Sequence, residues 1–245
     1  MKAAVAQQRS LLELSELDAE LSRIAYRSSH LPERQEYERV QADHNAANDR
    51  LAAVQIALED LDAQVSRYES EIEAVRRREG RDRSLLASGT TDAKQLSELQ
   101  HELQTLQRRQ ASLEDALLEV MERREELQAQ QSAELTAIDR LQTELTRAQQ
   151  ALDTALAELD QIRQQRVSRR DELTATLDPD LVALYERQRT ARGAGAGPLQ
   201  GRRCGACRIE IGRGELARIS AAADDDVTRC PECSAILLRL KDFDQ

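Results

Sequence analysis

Residues 96–127 read LSELQHELQTLQRRQASLEDALLEVMERREEL. From Leu96 through Leu99, Leu103 and Leu106 to Leu127, the seam positions advance by alternate steps of three and four. Gln110 and Arg124 are its polar members. A seam with that spacing stays on one face of an α-helix and winds two helices into a left-handed supercoil. The frame continues through Gln131, Glu134, Ile138, Leu141, Leu145, Ala148, Leu152, Ala155, Leu159 and Ile162, so it holds for about nine heptads. Leu51, Val54, Leu58, Leu61, Val65, Tyr68, Ile72 and Val75 follow the same alternation, and Leu14, Leu17, Leu21 and Ile24 form a shorter run.

Two breaks divide these runs. Pro32 cannot sit inside a helix without removing a hydrogen bond. Ser88-Gly89-Thr90-Thr91-Asp92 is turn chemistry, and Asp92 with Gln95 three residues on forms a capping-box pattern. The spacing therefore predicts helices over 8–30, 33–87 and 92–177, with the hairpin tip near 88–92. The first two together match the third in length, which would run on the order of 125 Å. The favoured topology sets them end to end against it. The alternative folds the first helix back as a third strand near the stem. In a register centred on the tip, positions whose numbers sum to about 178 face each other. That places His44 near Glu134 and Ala47 near Gln131, either a register-fixing polar layer, for which His44→Leu would raise thermal stability, or a locally splayed, solvated stretch.

Composition agrees with a coiled coil. Charged residues make up 33% of the 245, and the aromatics are only Tyr26, Tyr37, Tyr68, Tyr185 and Phe243. A globular domain of this length would use more. The net charge of -10 argues against a generic polyanion binder. Met1 to Ser10 lacks the apolar stretch of a signal peptide, and no run is long and apolar enough to span a membrane. The chain is expected to be cytoplasmic.

Beyond the hairpin, Asp178-Pro179 opens a short helix over 178–192. Residues 193–203, beginning Gly193-Ala194-Gly195-Ala196-Gly197-Pro198, have the composition of a flexible linker. The only four cysteines follow: Cys204 and Cys207, then 22 residues, then Cys230 and Cys233. Two C-x2-C turns aim four thiolates at one point, the ligand set of a closed, structural zinc site. A dithiol switch is the main rival reading, and another metal on the same thiolates is the second. Arg208-Ile209-Glu210-Ile211 and Leu216-Ala217-Arg218-Ile219, punctuated by Gly212 and Gly214, suggest a hairpin, and Ala235-Ile236-Leu237-Leu238 a further strand. The expectation is a small β zinc ribbon over 204–240. It is too small to fold on apolar burial alone, and one structural Zn2+ would supply about 10–16 kcal/mol.

The chain carries no P-loop, GxGxxG, GxSxG or HExxH motif, and its three histidines are scattered. It reads as a non-enzyme with no small-molecule substrate and no membrane association. Basic residues cluster at the tip: Arg76, Arg77, Arg78, Arg81 and Arg83, with Lys94 across the turn. A second group, Arg163, Arg166, Arg169 and Arg170, lies near the stem, close to Arg187, Arg189 and Arg192 if the short helix folds back. Arg202, Arg203 and Arg208 flank the first cysteine pair. The tip and ribbon residues are candidate contacts for a protein partner or for nucleic acid.

Cys204-Gly-Ala-Cys207, Cys230-Pro-Glu-Cys233-Ser-Ala-Ile-Leu, Tyr185-Glu186 with the Gly/Pro stretch after it, and Gly89-Thr90-Thr91-Asp92-Ala93-Lys94 followed by Leu99-Gln100-His101-Glu102-Leu103 carry a resemblance. The chain resembles the bacterial C4-type zinc-ribbon proteins with a long N-terminal coiled-coil hairpin. The resemblance implies zinc on the four cysteines and a nucleic-acid-binding label. It also implies links, in some members, to a specialised sigma factor and to flagellar or secretion systems. Ser234 stands where a glycine often follows the last ligand. The reading preferred on charge balance is a non-enzymatic zinc-binding adaptor for protein partners, with RNA or DNA binding as the alternative.

Overall fold

The computed structural model describes residues 1–89 and 92–239; Thr90, Thr91 and residues 240–245, which include Leu240 at the expected end of the ribbon, and Phe243, lie outside the described residues. The chain is mainly α. Its elements are α1 (Val5–Ser29), α2 (Pro32–Ala87), α3 (Ala93–Thr176), α4 (Pro179–Arg192), β1 (Ala196–Gln200), β2 (Arg203–Cys204), α5 (Arg213–Ala221), β3 (Thr228–Arg229) and β4 (Ile236–Leu238). Pro32 opens α2, where its missing N–H leaves no hydrogen bond unmade. Asp92 Oδ1 accepts from the amides of Lys94 and Gln95, while the Asp92 amide donates to Gln95 Oε1. That is a reciprocal cap. Asp178 Oδ1 likewise accepts from the amides of Asp180 and Leu181, and Gly193 closes α4 in the left-handed region.

Two compact units form. One, Arg34–Gln150, holds most of α2 and the N-terminal part of α3 as an antiparallel pair. Val40 and Ala47 on α2 are buried with Leu141 on α3, against Ile138 and Leu145. Arg50 pairs with Glu134 at 2.8 Å, Asp62 with Arg124 at 2.5 Å, Glu71 with Arg109 at 3.0 Å and Arg76 with Glu114 at 2.8 Å. These pairs centre the register about one heptad away from the expected one. The polar layer is therefore not formed. Glu134 is held by Arg50, Ala47 packs on aliphatic side chains, and the His44 ring lies 3.3 Å from the Asn48 side-chain amide. The displaced register keeps Val40 and Ala47 opposite aliphatic side chains, which burying a histidine against a glutamate would forfeit.

The other unit comprises Met1–Glu33 and Ala151–Gln245. Here α1 runs antiparallel to the C-terminal part of α3, with Glu20 paired to Arg166 at 2.6 Å and Glu13 to Arg169 at 2.7 Å. The pairing agrees with the favoured path for the first helix. The sheet has the order β2-β1-β4-β3. β1 runs parallel to β4 and antiparallel to β2, and β3 is antiparallel to β4.

Two sequence expectations are corrected in this unit. Residues 193–203 are not a flexible linker, because Ala196–Gln200 is strand β1 beside β4. Ala196 is 1% exposed and belongs to one core with Leu11, Leu14, Leu173, Leu181, Tyr185, Ile236 and Leu238. The glycines there serve close approach: a Cβ on Gly195 would lie 2.5 Å from the Tyr185 ring, and one on Gly197 would lie 2.6 Å from the Ala206 amide nitrogen. Nor is Leu216–Ile219 a strand; it lies in α5, which buries Ile219 beside Cys204, Ile211 and Leu237. Arg208–Ile211 contributes only an isolated bridge between Arg203 and Glu210. Alternation over four residues was too short to separate strand from helix. The α5 end is fixed from a distance by Arg239, which donates to the carbonyls of Ile219, Ala222, Ala223 and Asp226.

The first residues also join this sheet region. Lys2 bridges to Asp226, the Ala3 amide donates to the Asp225 carbonyl at 2.8 Å, and the Val227 amide donates to the Met1 carbonyl at 3.1 Å. The buried Gln8 side chain donates to the Ala3 and Asp224 carbonyls, and Ser15 Oγ donates to the Ala196 carbonyl.

Candidate functional site

The four cysteines are brought together by two turns of the same design. In the first, the Cys204 amide donates to the Ile209 carbonyl at 3.1 Å and the Arg208 amide donates to the Cys204 carbonyl at 2.7 Å. In the second, the Cys230 amide donates to the Ala235 carbonyl at 2.9 Å and the Ser234 amide donates to the Cys230 carbonyl at 2.9 Å. Each turn closes through a residue in the left-handed region: Arg208 and Ser234 both have φ of 63°. Ser234 therefore adopts the conformation that a glycine would supply, and the turn geometry is kept despite the substitution. Gly205 fits beneath β1, where a Cβ would lie 2.7 Å from the Pro198 carbonyl oxygen.

The four Sγ atoms lie within 4.8 Å of one another. Cys204 and Cys233 are 3.8 Å apart, and Cys207 and Cys230 are 3.9 Å apart. A zinc–sulfur bond of about 2.3 Å sets the edge of a tetrahedron near 3.8 Å. The donors thus fit Zn2+, and none of the cysteines is in a disulfide. Cys204 and Cys230 are buried among Ile211, Ile219 and Leu237, while Cys207 and Cys233 are half-buried. Without a cation, burial pushes the Cys233 thiol up to about 12 and raises Cys204 as well. Burial also acts upward on Cys207, but the Ile209 amide and the neighbouring thiols outweigh it and hold that thiol low. A divalent cation would make all four thiolates, and they would close its tetrahedral shell with no position for substrate. The centre is one structural zinc site.

Most of the basic candidates are paired with carboxylates. At the tip, Arg76 pairs with Glu114, Arg78 with Glu102, Arg83 with Glu79 at 2.9 Å and Lys94 with Glu98 at 3.9 Å. Arg77 and Arg81 have no carboxylate partner among the described residues and share a shallow depression on α2. Near the cysteines Arg202 pairs with Glu210 at 3.0 Å, while Arg203 and Arg208 have no ion pair among the described residues. At the stem Arg163, Arg166, Arg169 and Arg170 each meet a carboxylate.

Sequence reasoning missed the centre of that stem network. Asp18 is 8% exposed. It accepts from Tyr185 Oη at 2.7 Å and from Arg170 Nε at 2.7 Å, with Arg189 at 3.5 Å. Arg170 and Arg189 also bind Glu186. Burial, then the contact with Asp18, raises the Tyr185 phenol above its usual range. The network ties α1, α3 and α4 together. The stem arginines Arg170 and Arg189 and the Tyr185-Glu186 pair pointed toward it, but nothing singled out Asp18, which is one charge among many on a helix of charged residues.

Comparison with known proteins follows the same division. Residues 14–193 match the CT398-like coiled coil hairpin domain, and residues 203–237 match the C4-type zinc ribbon domain. A Mycobacterium tuberculosis protein is 73% identical over 100% of both chains, and a Mycobacterium leprae protein is 59% identical over 95% of this chain and 100% of its own. A solved Mycobacterium smegmatis structure matches with a TM-score of 0.88 at 67% identity, covering 98% of this chain and 100% of that one. The structure of CT398 from Chlamydia trachomatis shares the fold, with a TM-score of 0.77 at 18% identity over 96% of this chain and 98% of its own.

Proposed function

We propose, for a chain that belongs to the CT398-like coiled-coil hairpin family and carries a C4-type zinc ribbon, a non-enzymatic adaptor role in which hairpin and ribbon are presented to protein partners. One observation carries this reading. The closed four-thiolate centre sits in a ribbon whose strands β1 and β4 share a single core with α1, α3 and α4. A metal so enclosed stabilises a shape and offers no coordination site to a substrate. The shape it stabilises is a rigid base from which side chains are displayed.

Charge placement supports protein over nucleic acid. Four of the six tip cations already meet carboxylates, and Arg202 in the ribbon does too. Phosphate binding draws on unpaired Lys and Arg, and each such contact steepens the salt dependence. The ribbon offers no aromatic ring for base stacking. Among the described residues no helix is long and apolar enough to cross a membrane.

The test has two arms. Photoreactive residues placed at the exposed positions Ile56, Leu118 and Ile209 of the full chain are crosslinked in cells. Reproducible protein adducts that depend on position support the adaptor role, and their absence at every position refutes it. In parallel, labelled single-stranded RNA is titrated by anisotropy at low and physiological salt. The wild type is compared with a variant in which Arg76, Arg77, Arg78, Arg81 and Arg83 are changed to Gln. RNA binding that persists at physiological salt and weakens in the variant would replace the adaptor reading with a nucleic-acid one.

A further inference from the structure

Near its C-terminal end α2 presents an exposed face made of Arg77, Gly80, Arg81, Ser84 and Leu85. These positions fall one turn apart on a single side of the helix. Together they line a shallow, open depression of about 530 Å³. Three features separate this face from the rest of the tip. Arg77 and Arg81 are the two tip cations without a carboxylate partner among the described residues. Leu85 is 50% exposed directly beside them. Gly80 lies inside a helix, where glycine weakens the helix relative to alanine. A Cβ there would meet nothing within 4 Å, so packing within the chain does not require a glycine at this position. Its absent side chain forms the floor of the depression.

We infer that this face docks an acidic amphipathic helical segment of a partner protein. Two carboxylates one turn apart on that segment would meet Arg77 and Arg81. Guanidinium and carboxylate match in planar, two-point geometry, and on a solvent-exposed face the charge pair governs orientation and on-rate. An apolar side chain one turn further on would cover Leu85. The Gly80 notch would let the two helix backbones approach closely. The inference rests on the adaptor reading and names the chemistry of one partner.

The test uses the zinc-loaded full chain. A display library of short helical peptides, randomised along one face, is panned on the wild type and counter-selected on an Arg77→Glu/Arg81→Glu variant. The expected result is enrichment of peptides with two Asp or Glu residues one turn apart, followed by Leu, Ile or Phe. A synthetic copy of the winner should lose about tenfold or more in affinity to the charge-reversed protein. It should lose a similar factor to Gly80→Leu, which fills the notch while leaving both arginines in place. Gly80→Leu should melt at the same temperature or higher, because it replaces a helix-weakening residue, so its loss of binding could not be blamed on unfolding. No enrichment, enrichment of basic peptides, or undiminished binding by Gly80→Leu would overturn the inference. So would binding of a labelled oligouridine that the same charge reversal abolishes, since that assigns the two arginines to nucleic acid. If panning fails while cellular crosslinks from Ile56, Leu118 or Ile209 persist, the tip proposal falls and the adaptor role stands.

Discussion

Arg208 and Ser234 close the two cysteine turns in a backbone conformation that side chains disfavour, and this makes zinc affinity improvable. Both residues have φ of 63°, and a non-glycine residue held there costs roughly 1–2 kcal/mol. Glycine removes that strain but loses more chain entropy on folding, which offsets about 0.5–1 kcal/mol. The net gain is about 0.5–1 kcal/mol per site. Zinc closes both cysteine turns, so where their ordering is coupled to metal binding the gain appears as zinc affinity. Arg208→Gly and Ser234→Gly should each tighten zinc by roughly twofold to fivefold, and together by roughly fivefold to thirtyfold if the sites are independent. Among the described residues neither substitution removes an ion pair, since Arg208 has none there and Ser234 contributes its backbone to the turn. The assay is competition against a chromophoric chelator at fixed pH and salt. Ser234→Ala, which keeps the strain, is the control and should match the wild type within about 0.5 kcal/mol. Ser234→Val should bind zinc more weakly, because a β-branched residue is worse in that region. If Ser234→Gly binds zinc no tighter than Ser234→Ala, the turn is not strained by its side chain and the reasoning fails.

Gly195→Ala should destabilise the zinc-loaded protein by about 1–3 kcal/mol in guanidinium titration, because its Cβ would lie 2.7 Å from the backbone oxygen of Tyr185 as well as against its ring; an unchanged midpoint would refute the close-approach role of this glycine. Tyr185→Phe should cost about 1.5–3 kcal/mol, because a buried hydroxyl donating to a carboxylate is lost and Asp18 keeps only its arginines. Tyr185 also sets a pH limit. The fold favours its neutral form, so its contribution is fully present below the unfolded value near 10 and is lost as pH rises above it. Alkaline melts should show that loss in the wild type and a smaller one in Tyr185→Phe. Stripping the metal with a chelator should expose the core that surrounds Cys204, Ile211, Ile219 and Leu237 and make residues 196–239 protease-sensitive. Cleavage at the same rate with and without zinc would show that the ribbon folds without its metal.

What could be read from residues alone was whatever depends on near neighbours. A heptad repeat is a property of one helix, so the hairpin and the extents of α1 to α4 were legible within a few residues. The caps at Asp92 and Asp178 act over three positions and were legible for the same reason. Two C-x2-C turns at ribbon spacing specify a zinc shell without reference to anything else in the chain.

Tertiary structure decided what depends on distant partners. Heptads look alike, so the register of α2 on α3 was settled by which layers bury apolar side chains and by the pairing of Arg50 with Glu134 and Asp62 with Arg124. Gly195-Ala196-Gly197 has the composition of a linker and the structure of a strand, because Tyr185 and Ala206 approach so closely that nothing larger fits. Leu216–Ile219 became helix because Ile219 is buried in the metal-centre core and Arg239 caps the end of α5. The same distinction separates the six tip cations. Arg83 with Glu79 and Lys94 with Glu98 are local pairs four residues apart. Arg76 and Arg78 were paired by Glu114 and Glu102 of the opposing helix, which among the described residues brings no carboxylate to Arg77 or Arg81.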